Sequence, residues 1–206
     1  MKPGKSALLF LLAALSLCLT PDAFQQVKYI YDGDTVLLKG GDKVRYLGIN
    51  APEIDHGGGK DEFMACRARD YNLDLVKGAR VRLEYDQETR DRHGRLLAYV
   101  FLEKGDMVNA LLVRKGLAYV MINFRTLRYR DLLIDCQRKA MREKLGIWRR
   151  TYTDKERFYL GNRTSYRFHR PSCSFGAKIS RTNLRKFMSR HEAFVQGYSP
   201  CRFCMP

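Results

Sequence analysis

The stretch that decides the fold is residues 27–53, which read VKYIYDGDTVLLKGGDKVRYLGINAPE. Three apolar runs, at 27–31, 35–39 and 43–49, are separated by two short turns rich in Gly and Asp. Apolar runs joined by such turns are typical of β-hairpins. Three of them in succession predict an antiparallel meander.

The residues after this meander predict helices and two further strands. Apolar spacing predicts a helix over 64–75, and the runs at 79–85 and 96–101 predict strands. Two more helices are predicted at 106–113 and 128–144. Five strands with a helix after the third follow the order of an OB-type barrel. The predicted fold class is therefore α+β, a five-stranded OB-fold barrel with three helices.

The charge of the chain predicts a polyanionic partner. The chain has 206 residues and a formal net charge of +16, with 38 Lys+Arg against 22 Asp+Glu. Hydrophobic residues make up 45%, which excludes a disordered basic tail and indicates a folded core. Residues 149–206 hold 13 of the basic residues and three of the acidic ones, so this part is expected to bind the partner. Basic charge alone does not choose between nucleic acid and an acidic protein or cell-surface polymer.

The first residues have the pattern of an export signal. Lys2 and Lys5 precede an uncharged apolar run at 7–19, as in the two leading regions of a secretory signal. This run is too short to span a bilayer. A buried N-terminal helix is the alternative. We therefore expect a signal peptide at 1–23 and a protein exported to the periplasm or secreted, without stable membrane insertion.

Three segments hold residue types suited to phosphodiester chemistry. Asp34 and the amide oxygen of Asn50, with a nearby backbone carbonyl, offer the oxygen ligands that Ca²⁺ prefers. Glu53, at a strand end, is a candidate base for an attacking water. Arg45 and Arg95 offer guanidinium groups that match the oxygens of a phosphoryl transition state.

Together these segments resemble the staphylococcal nuclease (thermonuclease) family, and the resemblance covers nearly all of residues 27–148, including the closing Lys144-Leu145-Gly146-Ile147-Trp148. It implies an OB-fold nuclease that uses Ca²⁺ to hydrolyse DNA and RNA and leaves 3′-phosphate ends. We expect single-stranded nucleic acid to be preferred and the protein to be a monomer. The residues carried over are the metal ligands Asp34, Asn50 and Ala51 (through its carbonyl), the general base Glu53, and the phosphate-binding Arg45 and Arg95.

Asn50 is a departure from the family pattern, because the best-known member has an aspartate there. Loss of one carboxylate should weaken Ca²⁺ binding. The alternative function is therefore a catalytically weak or inactive nucleic-acid-binding OB-fold protein. The presence of Glu53, Arg45 and Arg95 favours the nuclease.

Four C-terminal residues have the spacing of a structural zinc site. His169 and Cys173 form an H-x3-C pair, and Cys201 and Cys204 form a C-x2-C pair. The span resembles the metal-binding module of the Ada DNA-repair proteins, with His169 in place of the first cysteine. The resemblance implies zinc, and we do not carry over the module's methyl transfer. Disulfides among these cysteines are the alternative in an exported protein.

The predicted domains follow from these resemblances: a nuclease-like domain at 24–148, a linker at 149–160 and a small zinc-binding-like module at 161–206. Two further cysteines, Cys66 and Cys136, lie on the first and last predicted helices of the nuclease-like domain. Sequence leaves open whether they form a disulfide or remain free thiols.

Overall fold

The structure is a computed structural model that describes residues 24–122, 128–150 and 154–205. The predicted export signal at 1–23 lies outside the described residues. Within the described residues, no helix is both long enough and apolar enough to cross a bilayer.

The first part of the chain forms a closed barrel with helices around it. Its elements are β1 (Gln25–Asp32), β2 (Thr35–Leu38), β3 (Lys43–Tyr46), β4 (Ile49–Asn50), α1 (Ala65–Val76), β5 (Arg80–Glu84), β6 (Leu96–Leu102), α2 (Val108–Arg114), β7 (Tyr119–Val120), α3 (Arg130–Arg142) and the 3-10 helix η1 (Gly146–Arg149). The barrel order is β1-β2-β3-β6-β5. All neighbouring strands are antiparallel except β3 and β6, which are parallel. The predicted five-stranded barrel is confirmed.

The strand predicted at 43–49 is wrong at its C-terminal end. β3 stops at Tyr46, and Gly48 has a φ of +78°, in the left-handed region that glycine adopts most readily. The chain then enters the separate strand β4, which pairs with β7 outside the barrel. This turn at Gly48 is what carries Asn50 away from the barrel wall.

The barrel interior is apolar and is covered by the helices. Val36, Val44 and Val100 of the strands are completely buried, as are Leu112 of α2 and Leu133 of α3. Complete burial of an aliphatic side chain of this size stabilises the fold by about 1.5–3 kcal/mol. The site residues therefore stand on a rigid support.

The C-terminal module forms its own small sheet. Its elements are β8 (Tyr159–Asn162), β9 (Arg167–His169), α4 (Ser174–Ala177), β10 (Leu184–Phe187), α5 (Arg190–Val195) and β11 (Ser199–Pro200). The sheet order is β10-β8-β9-β11, and its core holds Tyr159, Phe168, Phe187, Ala193 and Tyr198. β8 begins at Tyr159 and η1 includes Arg149, so regular structure overlaps both ends of the linker predicted at 149–160.

Phe194 of α5 joins the module to the barrel domain. Its ring makes edge contacts with Tyr119 and Trp148 of the barrel domain, at centroid distances of 6.1 and 5.0 Å. It also contacts Phe168 of the module core at 5.2 Å. One aromatic side chain therefore packs against both cores.

Polar contacts and close packing reinforce this junction. The side chain of Gln137, in α3, donates to the carbonyl of Phe194 at 2.6 Å and accepts from the backbone N–H of Val120 at 2.7 Å. Gly197 lies so close to α3 that a Cβ atom there would be 2.7 Å from Cδ1 of Ile134. Because the module rests directly on α3, its position relative to the barrel is defined.

Candidate active site and metal centre

The turn between β1 and β2 places Asp34 inside the protein. A Cβ atom on Gly33 would lie 2.6 Å from the Cβ of Ala51 and 2.7 Å from that of Ala68, so only glycine fits. Asp34 is 2% exposed. Its Oδ1 accepts from the hydroxyl of Thr35 at 3.1 Å, and its Oδ2 accepts from the backbone N–H of Ala51 at 2.6 Å. The carboxylate is thus fixed against the segment that follows β4.

Arg45 of β3 connects the predicted metal ligands. Its Nη1 donates to the carbonyls of Tyr46 and Ile49, at 2.8 and 2.9 Å, which hold the bend between β3 and β4. Its Nη2 lies 3.0 Å from Oδ2 of Asp34 and donates to Oδ1 of Asn50 at 2.8 Å. This buried guanidinium joins the turn that holds Asp34 to the strand that holds Asn50.

Asn50 is buried and makes hydrogen bonds with both parts of its amide. Its Oδ1 accepts from Arg45 and also from Nη2 of Arg202 at 3.1 Å. Its Nδ2 donates to the carbonyl of Ala51 and to the hydroxyl of Tyr119, both at 3.1 Å. The oxygens predicted as the second and third Ca²⁺ ligands are therefore engaged in hydrogen bonds that a bound cation would replace.

The electrostatics of Asp34 fit a cation site. Burial raises the pKa of this carboxyl to about 7, Arg45 acts to lower it, and the nearby charge of Asp32 raises it further. A carboxylate that burial disfavours to this extent is stabilised by a bound cation. With the carbonyl of Ala51 beside it, Asp34 provides an oxygen donor set suited to a divalent ion.

Glu53 lies in the same electrostatic neighbourhood but reaches the surface. Partial burial of its carboxyl and the charge of Asp32 raise its pKa above the usual value, while Arg45 and Arg202 oppose the shift. The residue as a whole is exposed. Glu53 therefore has access to solvent water, as a general base requires.

Arg95 stands apart from this cluster. Its Nε and Nη2 both lie 2.8 Å from Oδ2 of Asp91, in the turn that leads into β6. Within the part of the chain that the structure describes, its hydrogen bonds and its ion pair are with Asp91 of this turn and not with Asp34 or Glu53. The structure brings Asp34, Arg45 and Asn50 together but leaves Arg95 paired with Asp91.

The four C-terminal ligand residues converge as the spacing predicts. The ligand atoms of His169, Cys173, Cys201 and Cys204 all lie within 4.8 Å of one another. Ligands of a tetrahedral zinc site with Zn–S bonds of about 2.3 Å lie about 3.8 Å apart. All four cysteine and histidine side chains are buried or partly buried, and the three cysteines are free thiols. The arrangement is that of a metal site and not of a disulfide.

Backbone groups prepare one of these thiols for a metal. Burial acts to raise the pKa of Cys173, but hydrogen bonds from the N–H groups of Gly176 and Phe175 hold it below the usual value. The thiolate is the form that binds metals. The start of α4 therefore favours the ligating form of Cys173.

Cys66 and Cys136 are both free thiols. Cys66 is exposed at the start of α1 and donates to Oδ2 of Asp61 at 3.2 Å. Cys136 is half-buried on α3, packed against the barrel core. Of the two possibilities that sequence leaves open, the structure has the free thiols.

Residues 43–150 match the family of staphylococcal nuclease homologues. The chain belongs to the staphylococcal nuclease family. Over 128 residues it is 37% identical to the thermonuclease of Staphylococcus intermedius, which covers 60% of this chain and 75% of that protein. It is 32% identical over 122 residues to the thermonuclease of Staphylococcus hyicus, covering 58% of this chain and 72% of that protein.

The chain also resembles a third relative, and its C-terminal part matches a second family. The endonuclease YncB of Bacillus subtilis (strain 168) is 34% identical over 124 residues, covering 59% of this chain and 56% of that protein. Residues 147–206 match the metal binding domain of Ada. Both predicted resemblances are confirmed, and the chain combines a staphylococcal nuclease domain with a metal-binding module.

Sequence reasoning missed two residues that contact Asn50 in the candidate site. Tyr119 lies in the two-residue strand β7, which is too short to produce a recognisable pattern. Arg202 lies between the two cysteines of the C-x2-C pair, 152 positions from Asn50. The motif draws attention to its cysteines, and nothing in the sequence indicates where the arginine between them points.

Proposed function

We propose that this protein is an exported, Ca²⁺-dependent nuclease that cleaves DNA and RNA, with single strands preferred, and acts as a monomer. Membership of the staphylococcal nuclease family makes it a hydrolase of nucleic acids. The observation that carries the finer proposal is the buried cluster of Asp34, Arg45 and Asn50 in the electrostatic neighbourhood of Glu53, a residue that reaches the surface. Export rests on the sequence pattern of residues 1–23.

In the proposed reaction, Glu53 takes a proton from a water as the water oxygen attacks phosphorus. The bond from phosphorus to the 5′ oxygen breaks, that oxygen leaves and takes up a proton from solvent water, and the phosphate remains on the 3′ side. Arg45 and Arg95 donate hydrogen bonds to the non-bridging oxygens, where negative charge develops.

Asp34, Asn50 and the carbonyl of Ala51 would hold the calcium ion. A bound divalent cation neutralises charge on the phosphoryl group and polarises it. The competing function, nucleic-acid binding without catalysis, is favoured by one observation: the amide of Asn50 in place of a carboxylate. In the C-terminal module, we propose that His169, Cys173, Cys201 and Cys204 hold a structural zinc ion.

The first prediction tests the role of Glu53. Purified protein incubated with single-stranded DNA or RNA should cleave it when Ca²⁺ is added, and Glu53→Gln should lower kcat by about 100-fold or more, since the base is lost. Glu103→Gln, an exposed carboxyl at the end of β6, is the matched control and should cleave normally. Binding without cleavage under any divalent cation would instead establish the competing function.

A further inference from the structure

Arg202 of the metal-binding module reaches into the nuclease site. Its Nη2 donates to Oδ1 of Asn50 at 3.1 Å, beside the Nη2 of Arg45, which bonds the same oxygen at 2.8 Å. Its charge also acts on the carboxyl of Glu53. The C-terminal module therefore places a guanidinium among the residues to which the nuclease chemistry is assigned.

The backbone around Arg202 is held by the metal-binding cluster. The N–H of Cys201 donates to the carbonyl of Phe168 at 2.9 Å, and the N–H of Met205 donates to the carbonyl of Cys201 at 3.0 Å. The N–H of Arg170 donates to Sγ of Cys204 at 3.4 Å. Arg202 lies between Cys201 and Cys204, which both belong to the cluster. A metal bound there would therefore fix the backbone position from which the side chain of Arg202 extends.

Positive charge accumulates at this junction. The guanidinium groups of Arg45 and Arg202 both donate to Oδ1 of Asn50, so two positive charges meet at one uncharged amide. A phosphate group would offset this like charge and accept hydrogen bonds from guanidinium donors.

The side chain of Arg202 remains open to solvent although it contacts the buried Asn50. Arg202 is exposed, and a guanidinium carries five N–H donors. Donors beyond the one used on Asn50 are thus available to a ligand that enters from solvent.

We propose that Arg202 is a third phosphate-binding arginine of the nuclease site, supplied by the metal-binding module and positioned by its Cys201-x2-Cys204 ligand pair. The proposal deepens the function proposed above and rests on it. It assigns the module a part in the site itself, beside any general attraction of its charge for nucleic acid. The positive charge that it adds lies next to Asn50, where this chain has one carboxylate fewer than the family pattern.

The second prediction concerns Arg202→Ala. With single-stranded DNA and saturating Ca²⁺, this variant should lose about tenfold or more in kcat/KM, because one donor to the phosphate is removed. Arg202→Lys, which keeps the charge but not the fork of donors, should recover only part of the loss. The matched control is Arg181→Ala, an exposed arginine of the same module, which should stay within about twofold of the wild type.

A binding measurement separates this proposal from the proposed function. A short fluorescent single-stranded DNA is titrated with each protein in calcium-free buffer, where cleavage is not required. Weaker binding by Arg202→Ala than by Arg181→Ala supports the phosphate contact, even if the wild-type protein cleaves nothing. Equal binding and equal kcat/KM for the two variants would overturn it. Faster cleavage by Arg202→Ala would also overturn it, because Arg202 would then obstruct the site.

A second measurement tests whether the position of Arg202 depends on the metal of the module. Removal of zinc with a zinc-selective chelator should weaken DNA binding by the wild type at least as much as Arg202→Ala does. Because the loss in the wild type includes the Arg202 contact, the same treatment should weaken binding by Arg202→Ala by a smaller factor. Equal losses on zinc removal in the wild type and in Arg202→Ala would contradict the positioning role of Cys201 and Cys204.

Discussion

Asn50 accepts hydrogen bonds from two arginines of different domains and is therefore one of the residues at which the two parts of the chain meet. An amide oxygen in this place has a weaker pull on a divalent cation than a carboxylate would have. The same oxygen accommodates Arg45 and Arg202 without a net charge of its own. The local charge of the site is therefore shifted from carboxylates toward guanidinium groups.

The third prediction belongs to this residue. Asn50→Asp should tighten Ca²⁺ binding by about tenfold, because it adds a charged oxygen ligand beside Asp34. In this variant Arg202 would pair with the new carboxylate and compete with the cation. The double variant Asn50→Asp/Arg202→Ala should therefore bind Ca²⁺ more tightly still than Asn50→Asp/Arg181→Ala. Calcium titrations by calorimetry measure all three, and equal or weaker affinity in Asn50→Asp would contradict this account of the metal site.

At the scale of elements, very short strands and the bends between them position the side chains of the candidate site. The β3–β4 bend turns at Gly48 and is held by the guanidinium of Arg45. The module also consists of short elements: its strands have two to four residues, and its core is small. Domains of this size usually need a structural metal or disulfides in addition to their apolar core to be stable.

The fourth prediction follows from that need. Elemental analysis of the native protein should give about one zinc per chain, held by the four ligands of the C-terminal cluster. Stripping the zinc should unfold β8–β11 while the barrel, which has a separate core, retains its structure. Amide hydrogen exchange resolves the two domains. Absence of zinc together with absence of free thiols would favour disulfides and contradict the metal site.

On the scale of the whole molecule, the basic module lies against the nuclease domain. Deleting residues 149–206 would remove its charge, but it would also uncover Tyr119 and Trp148, which pack on Phe194, and the face of α3 that meets Gly197. Truncation would therefore change both the charge and the packing, and its effect on binding could not be assigned to charge alone. Exposed basic residues can be neutralised without disturbing that junction.

The fifth prediction uses this approach. The triple variant Arg163→Gln/Lys178→Gln/Lys186→Gln should flatten the dependence of log K on log[salt] for single-stranded DNA, by about 2 if all three side chains contact phosphates. The matched control neutralises three exposed lysines of the nuclease domain: Lys39→Gln, Lys77→Gln and Lys115→Gln. Its slope should change less. The same slope in both triple variants would show that the charge of the module serves another purpose.

The sequence by itself determined the barrel, the predicted site segments and the ligand set of the module. These depend on patterns that are local: alternating strands, tight turns with glycine, and cysteine and histidine pairs a few residues apart. Where a pattern was too short to read, as in β4 and β7, the prediction failed, and the strand at 43–49 was drawn too long.

Only the tertiary structure decided what lies next to Asn50. The contact with Arg202 spans 152 positions and exists because Phe194 and Gly197 place the module against α3. Such a contact depends on the complementary shapes of two separately folded surfaces, and no local periodicity or spacing records it. The physical consequence is that the polyanion-binding charge, which sequence assigns to the C-terminal part as a whole, includes one guanidinium within reach of the proposed catalytic centre.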